Sequence, residues 1–396
     1  MGAKTKILIG ILLVFFVGQV FPGCTGGGSS TTSSSSSSPS PTVREYTGTA
    51  SVGDFITISI NATAKTISYT NVTNGESGTV SYTIDADGGY IIDDPDGNLI
   101  TAFEVPGFAL VLDMYNTGAG ADTPALVTAF ITADISKDDL KDNDYNFLQF
   151  RTNGGGMELG YVDIEADGSM DSQNYWPFGD FDSDPLTDAF FPVETDWDVD
   201  DWVDDPDGKF VSIYDPIEDE TSYMFATESG LLAIDTANGS IIAFEKQPTK
   251  DFNPDWAGTY KTILYDKTVD FGDDENLIIP TIDKGDIVID ATGKLTVPDG
   301  SEFNLVPLED YDGDLDLSPD FYDPIPVNGK LIDPCHGIFV VRNVDVDPSG
   351  TQTENVFVVF INGAMLFASF GTFDDFPEDG TEDTYMYTQG VGLKIE

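Results

Sequence analysis

Residues 194–208, ETDWDVDDWVDDPDG, carry eight carboxylates and two tryptophans in fifteen positions, with no basic residue among them. Such a run can hold a cation, face a ligand, turn the chain, or present solvated charge. Its tail, DDPDG at 204–208, repeats the phrase at 93–97, and an apolar stretch follows both copies. That half has turn chemistry: Pro fixes φ, Asp bonds nearby amides and Gly accepts positive φ. The head instead surrounds Trp197 and Trp202 with acids and extends an aromatic run from Trp176 through Phe190 and Phe191. Rings exposed among carboxylates stack on sugar faces while the acids accept hydroxyl hydrogens, so Trp176, Trp197 and Trp202 are candidate ligand-binding residues. In the competing reading the rings are buried and pin a long insertion to the body while its acids face water.

Two other acidic stretches have the spacing of cation ligands. Asp163, Glu165, Asp167, Ser169 and Asp171 occupy positions 1, 3, 5, 7 and 9 of an EF-hand-like loop with Gly168 at position 6, although Asn174 stands where the bidentate Glu belongs. Asp310, Asp312, Asp314 and Asp316 alternate through a Gly-containing loop and repel one another unless a cation lies between them. Calcium is therefore the candidate cofactor at both places. Cys335 and His336, the only histidine, precede the apolar run 337–341. Zinc sites take three or four such ligands, so this pair reads as the mouth of a strand with a small buried cysteine. No Gly-x-Ser-x-Gly elbow, His-Glu-x-x-His helix, phosphate loop or haem-attachment motif occurs. An enzyme is the weaker expectation. Its one open form is a surface hydrolase of polysaccharide working by paired carboxylates, with no residues assigned.

Seventy acidic residues against seventeen basic ones give a net charge of -53, which repels phosphate backbones and excludes nucleic acid as a partner. The acids are 53 Asp and 17 Glu. Asp serves turns and short ligand arms better than helices, which places the charge in loops. A salt-adapted surface would explain the same balance without any discrete site.

The N-terminus gives an address. Lys4 and Lys6 precede an apolar run over residues 7–20, followed by Phe21-Pro22-Gly23-Cys24. Fourteen residues make an export signal and are short of the ~20 that span a bilayer. The exit resembles the lipobox of bacterial lipoproteins. That resemblance implies lipidation of Cys24 as the mature N-terminus, and Thr25 after it implies an outer-membrane or cell-surface destination. Residues 25–42, TGGGSSTTSSSSSSPSPT, are an uncharged tether. The expected organisation is a signal peptide at 1–23, lipidated Cys and tether at 24–43, a β domain at 44–250 with an acidic insertion at about 172–208, and a second β domain at 255–396.

The elements that must position these residues are strands. Short runs such as DFITISI at 54–60 and NVFVVFI at 355–361 alternate or mass Val, Ile, Thr and Phe between Gly, Asn, Asp and Pro. One short polar stretch, 135–148, has helical character. The phrase Ile-acid-Ala-x-Gly recurs at 84–88, 164–168 and 289–293, and Asn-Gly recurs 66, 71 and 70 residues after each, which predicts repeated β units. The chain restarts at 255–260, DWAGTY, after the loop 247–254. The fold class is thus all-β, two tandem antiparallel domains of barrel or sandwich type. The Gly-Thr-Tyr opening and meander resemble a lipocalin-type barrel, which implies fold alone. The functional expectation is an exported, lipid-anchored surface protein that binds, adheres or scaffolds, with a glycan or a surface protein as partner.

Overall fold

The computed structural model describes residues 43–395 outside several internal segments, of which the longer are 94–98, 116–124, 151–157, 176–198, 271–276, 309–335 and 376–383. The all-β expectation is borne out, and every registered strand pair is antiparallel. The first eight strands are β1 (Val43–Ala50), β2 (Asp54–Asn61), β3 (Thr66–Asn71), β4 (Ser77–Ile84), β5 (Tyr90–Asp93), β6 (Leu99–Val105), β7 (Ala109–Tyr115) and β8 (Ala125–Phe130). They follow one another round a closed barrel in which β8 pairs with β1.

A second meander comprises β9 (Asn143–Phe150), β10 (Glu158–Ile164), β11 (Met170–Tyr175), β12 (Val203–Asp204), β13 (Val211–Asp215), β14 (Glu220–Ala226), β15 (Leu231–Thr236) and β16 (Gly239–Glu245). Its last strand, β16, pairs with its first, β9, and its two edges are β11 and β12. The acidic segment 176–198 connects those edges. The third meander holds β17 (Gly258–Asp270), β18 (Leu277–Ile289), β19 (Lys294–Thr296), β20 (Glu302–Asn304), β21 (Val306–Pro307), β22 (Ile338–Val346), β23 (Gly350–Ile361), β24 (Ala364–Asp375) and β25 (Thr384–Lys394). Here too the last strand, β25, pairs with the first, β17, and the edges are β20 and β21. All three sheets therefore share one plan, an up-and-down meander whose ends meet. The loop 247–254 lies between the second and third sheets, and the residues before it form the barrel and the second meander.

The stretch with helical character is not a helix. Residues Lys137–Leu140 make a single 3-10 turn, and β9 follows. The Asp139 carboxylate accepts from the Ser136 amide at 2.9 Å, and Asp142 then takes a positive φ of 63°. Beyond it Tyr145 and Phe147 alternate with Asn146 and Leu148, a period of two that outweighs the short polar run before it.

The recurring turn phrase has one structure at all three sites. Asp85, Glu165 and Asp290 donate their amides to the carbonyls of Gly89, Ser169 and Lys294 at 2.9, 2.9 and 3.0 Å. The Gly before each acceptor has φ of +83°, +96° and +81°, so a β-carbon there would be strained. Each phrase thus makes a tight hairpin, joining β4 to β5, β10 to β11 and β18 to β19.

Strand alternation builds four cores. Within the barrel, Ile56, Ile58 and Ile60 of β2 face Tyr82, Tyr90, Leu110, Leu112 and Val127. Tyr145, Phe147, Val211 and Met224 fill the inside of the second meander. Tyr260, Leu264, Phe339, Val356, Val358 and Phe367 fill the third. The outward-facing alternates of all three sheets form the central cluster: Phe55, Val111 and Phe130 from the barrel, Leu148, Phe225 and Phe244 from the second meander, and Ile263, Phe357 and Val391 from the third. Phe55 enters an aromatic nest, stacked on Tyr223 with ring centroids 5.0 Å apart and edge-on to Phe210 at 5.4 Å. Polar ties fix the seams. Thr49 Oγ1 donates to Ser240 Oγ at 2.9 Å, Ser240 donates to the Ala50 carbonyl at 2.7 Å, and Lys284 lies 3.7 Å from buried Asp113 and also bonds Thr101.

Replacing Phe55 with Ala leaves a hole between the barrel and the second meander. The expected loss is about 3–5 kcal/mol, measured by urea unfolding, and a loss below about 1 kcal/mol would show that the two sheets do not depend on this contact.

Candidate functional site

The β10–β11 hairpin carries the first set of candidate metal ligands. Asp163, next to last in β10, stands opposite Asp171 on β11 and Asp144 on β9. Glu165, Asp167 and Ser169 are exposed in the turn. The Asp167 carboxylate is already engaged: it accepts from the Ser169 hydroxyl at 2.7 Å and the Ser169 amide at 3.1 Å. Those two bonds hold it below the usual carboxylate range. This is the chemistry of an Asp-Gly hairpin, in which the acid bonds its own backbone. Among the described residues no three His, Cys, Asp or Glu side chains gather as a metal ion would require. The side chain of Asp171 and the whole run of Asp310, Asp312, Asp314 and Asp316 lie outside the described residues.

Of the three candidate stacking residues, Trp176 and Trp197 lie outside the described residues. Trp202 follows a 3-10 turn at Val199–Asp201 and is only 3% exposed. The Val199 amide donates to the Gly168 carbonyl at 2.8 Å, docking the end of the acidic segment on the β10–β11 hairpin. Trp202 then enters the interior of the second meander beside Leu140, Tyr145, Phe147 and Ile164, where its indole Nε1–H finds no hydrogen-bond partner among the described residues. The ring pins the segment to the sheet and offers solvent no stacking face. His336 belongs to a seam as well: its carbonyl accepts from Asn146 Nδ2 at 2.9 Å, and its Nδ1 lies 3.2 Å from the Gln247 carbonyl. Cys24 and Cys335 lie outside the described residues.

The ionisable groups with the most unusual surroundings are ones that sequence reasoning passed over. At the end of the barrel where β1 begins, Glu104 of β6 meets Arg44 of β1, with Nε to Oε1 at 2.5 Å and Nη2 to Oε2 at 2.6 Å. Tyr46 donates to the same carboxylate at 2.5 Å, and Tyr90 donates to its other oxygen. All four residues are buried. The hydrogen bond to Glu104 raises the Arg44 pKa further, while burial and then the Glu104 bond push the Tyr46 and Tyr90 hydroxyls well above the ordinary phenol range. One carboxylate with four donors is saturated, so this group closes the barrel and leaves nothing to bind a ligand. The available signal was a charged residue in phase with the apolar face of a strand: Arg44 stands two before Tyr46, and Glu104 two after Ala102.

Three further carboxylates are buried among the described residues. Asp235 of β15 accepts from Thr73 Oγ1 at 3.1 Å. Asp113 of β7 is raised by burial, which Lys284 opposes. Glu354 of β23 lies inside the third meander, where Ser369 Oγ donates to it at 2.6 Å, and burial pushes it up to about 7. Glu104, Asp113, Asp235 and Glu354 thus have separate partners among the described residues, Arg44, Lys284, Thr73 and Ser369 in turn, which is not the carboxylate pair across a cleft of a glycosidase.

Removing one partner of the barrel pair exposes the cost of the other. Glu104→Ala is expected to destabilise by about 3–5 kcal/mol, whereas the double change Arg44→Met, Glu104→Leu should cost clearly less in the same urea titration. For Glu354, the folded pKa lies above the unfolded value of 4.5, so its contribution is full below that value and lost as pH rises through about 7. Glu354→Gln at low salt should therefore match the wild type at pH 4.5 and exceed it at pH 8.5, by roughly 3 kcal/mol at most. Parallel pH dependences of the two melting curves would contradict the assignment.

No family model matches the chain, and no curated protein matches it. Among solved structures, it is similar to a double mutant of the vaccine antigen transferrin binding protein B from Haemophilus parasuis Hp5, at 10% identity and a TM-score of 0.17, covering 86% of this chain and 66% of that one. Intact Ap-TbpB, with its N and C lobes, is 9% identical with a TM-score of 0.19, covering 86% of this chain and 67% of the other. The chain spans about two thirds of the length of these proteins, and likeness at such TM-scores carries no argument about fold or function.

Proposed function

We propose that the protein is an envelope-attached binding or scaffolding protein, held by a lipid on Cys24 and presenting its outer surface to a partner. The observation that carries this reading is the order of segments. An export signal ends at a lipobox-like Cys24, an uncharged tether of eighteen residues follows, and β1 starts at Val43. By random-coil scaling the tether holds the body roughly 20–25 Å from the lipid. The barrel and both meanders are filled by their own side chains, which leaves recognition to the outer surface and the long connections. With a net charge of -53, that surface suits a protein partner with a basic face, approached by electrostatic steering.

The anchor is tested by Cys24→Ala in a diderm bacterium fed an alkyne fatty acid. The wild type should be labelled and sediment with membranes, and the variant should be unlabelled and soluble. An unlabelled wild type would remove the anchor. The binding role is tested with fluorescent protein added to isolated envelopes: saturable binding that falls with salt is expected, and linear, salt-independent adsorption would count against it.

A further inference from the structure

The interior of the third meander changes character along its length. Around Tyr260, Leu264, Val356, Phe360 and Phe367 it is apolar. Two positions beyond Val356 on β23 and two beyond Phe367 on β24, the same alternation brings in Glu354 and Ser369, and Thr388 of β25 stands opposite Ser369 in register. All three are buried, Glu354 at 4% exposure. Glu354 Oε1 accepts the Ser369 hydroxyl, but Glu354 Oε2 is fully buried with no hydrogen-bond partner among the described residues. A carboxylate oxygen shut away without a donor costs about 1–3 kcal/mol or more, and native interiors resolve such groups with an ion or an ordered water.

The surroundings favour an ion. The charged residues nearest in register on the flanking strands are Asp266, opposite Thr388, Asp345, opposite Gln352, and Arg342, opposite Asn355. Among the described residues no positive charge meets Glu354, and the side-chain oxygens described beside it are the hydroxyls of Ser369 and Thr388. A carboxylate with hydroxyls is the donor set of a hard cation, which completes its shell with water.

We propose that the polar end of this interior is a binding site for one small, hard metal cation, held by Glu354 with Ser369 and Thr388 beside it. The site uses none of the candidate ligands of the two acidic stretches and does not depend on the proposed attachment to the envelope.

The test is thermal unfolding of the purified full chain in detergent at pH 8.5 and constant ionic strength, first in choline chloride, then with sodium chloride or millimolar calcium chloride replacing part of it. A metal ion should raise the melting temperature above its value in choline by roughly 2 °C or more. The gain should vanish in Glu354→Gln, shrink in Ser369→Ala and persist in the exposed control Glu165→Gln. The ion that produces it distinguishes a monovalent from a divalent site. Equal melting temperatures in choline and in both metal salts would overturn the proposal, as would an undiminished gain in Glu354→Gln. Should that variant not fold, Ser369→Ala and calorimetric titration of the wild type with each ion decide in its place, and absence of saturable heat with either ion overturns the proposal.

Discussion

The structure depends on the apolar outer faces of its three sheets. A barrel or meander that filled only its inside would carry polar residues outside, and each could stand alone. Here β8 is buried at every residue, and Phe55, Phe130, Phe225, Phe244 and Phe357 all point away from their own sheet into the common cluster. Those faces cannot be left in water, so the sheets must cover one another. The strands that supply them are accordingly two-sided, which is why several appear in the sequence as massed apolar runs. The hydrogen bonds from Thr49 to Ser240 and from Thr73 to Asp235 then fix how the barrel meets the second meander.

Once the sheets are committed to one another, charge has two places to go. Part of it goes into turns, where Asp85, Asp205 and Asp290 each accept from amides of their own hairpin, as Asp167 does in the candidate metal loop. This explains the preference for Asp over Glu without a cation, because only the shorter side chain reaches its own backbone in this way. The few carboxylates taken inside are compensated to different degrees. Among the described residues Glu104 has an arginine and two tyrosines, Asp113 has Lys284 and Thr101, Asp235 has Thr73 among its partners, and Glu354 has only Ser369. The least compensated is where a ligand has most to offer.

The strands and the recurring hairpins were legible because their signals are local: period-two alternation, Asp and Gly at fixed places in a turn. The stretch at 135–148 misled for the same reason, since its polar start is one 3-10 turn and its aromatic end belongs to a strand. The site was far less legible. Asp167 and its neighbours have ligand spacing, yet spacing along the chain says nothing about whether a hairpin has already used the oxygen. Trp202 has the company of a surface ring, yet that company turns outward while the ring turns in.

By itself the sequence determined the fold class, the hairpin chemistry, the sign and size of the charge, and the anchor-like start, all of which follow from residue type and short-range spacing. Only the tertiary structure decided which of seventy acids are buried and what each one meets. Arg44 and Glu104 are sixty residues apart, and Glu354 reaches Ser369 across a strand pair. Burial and partnership are properties of closed sheets, and a carboxylate's chemistry is set by the dielectric and donors around it, which the fold assembles from distant parts of the chain.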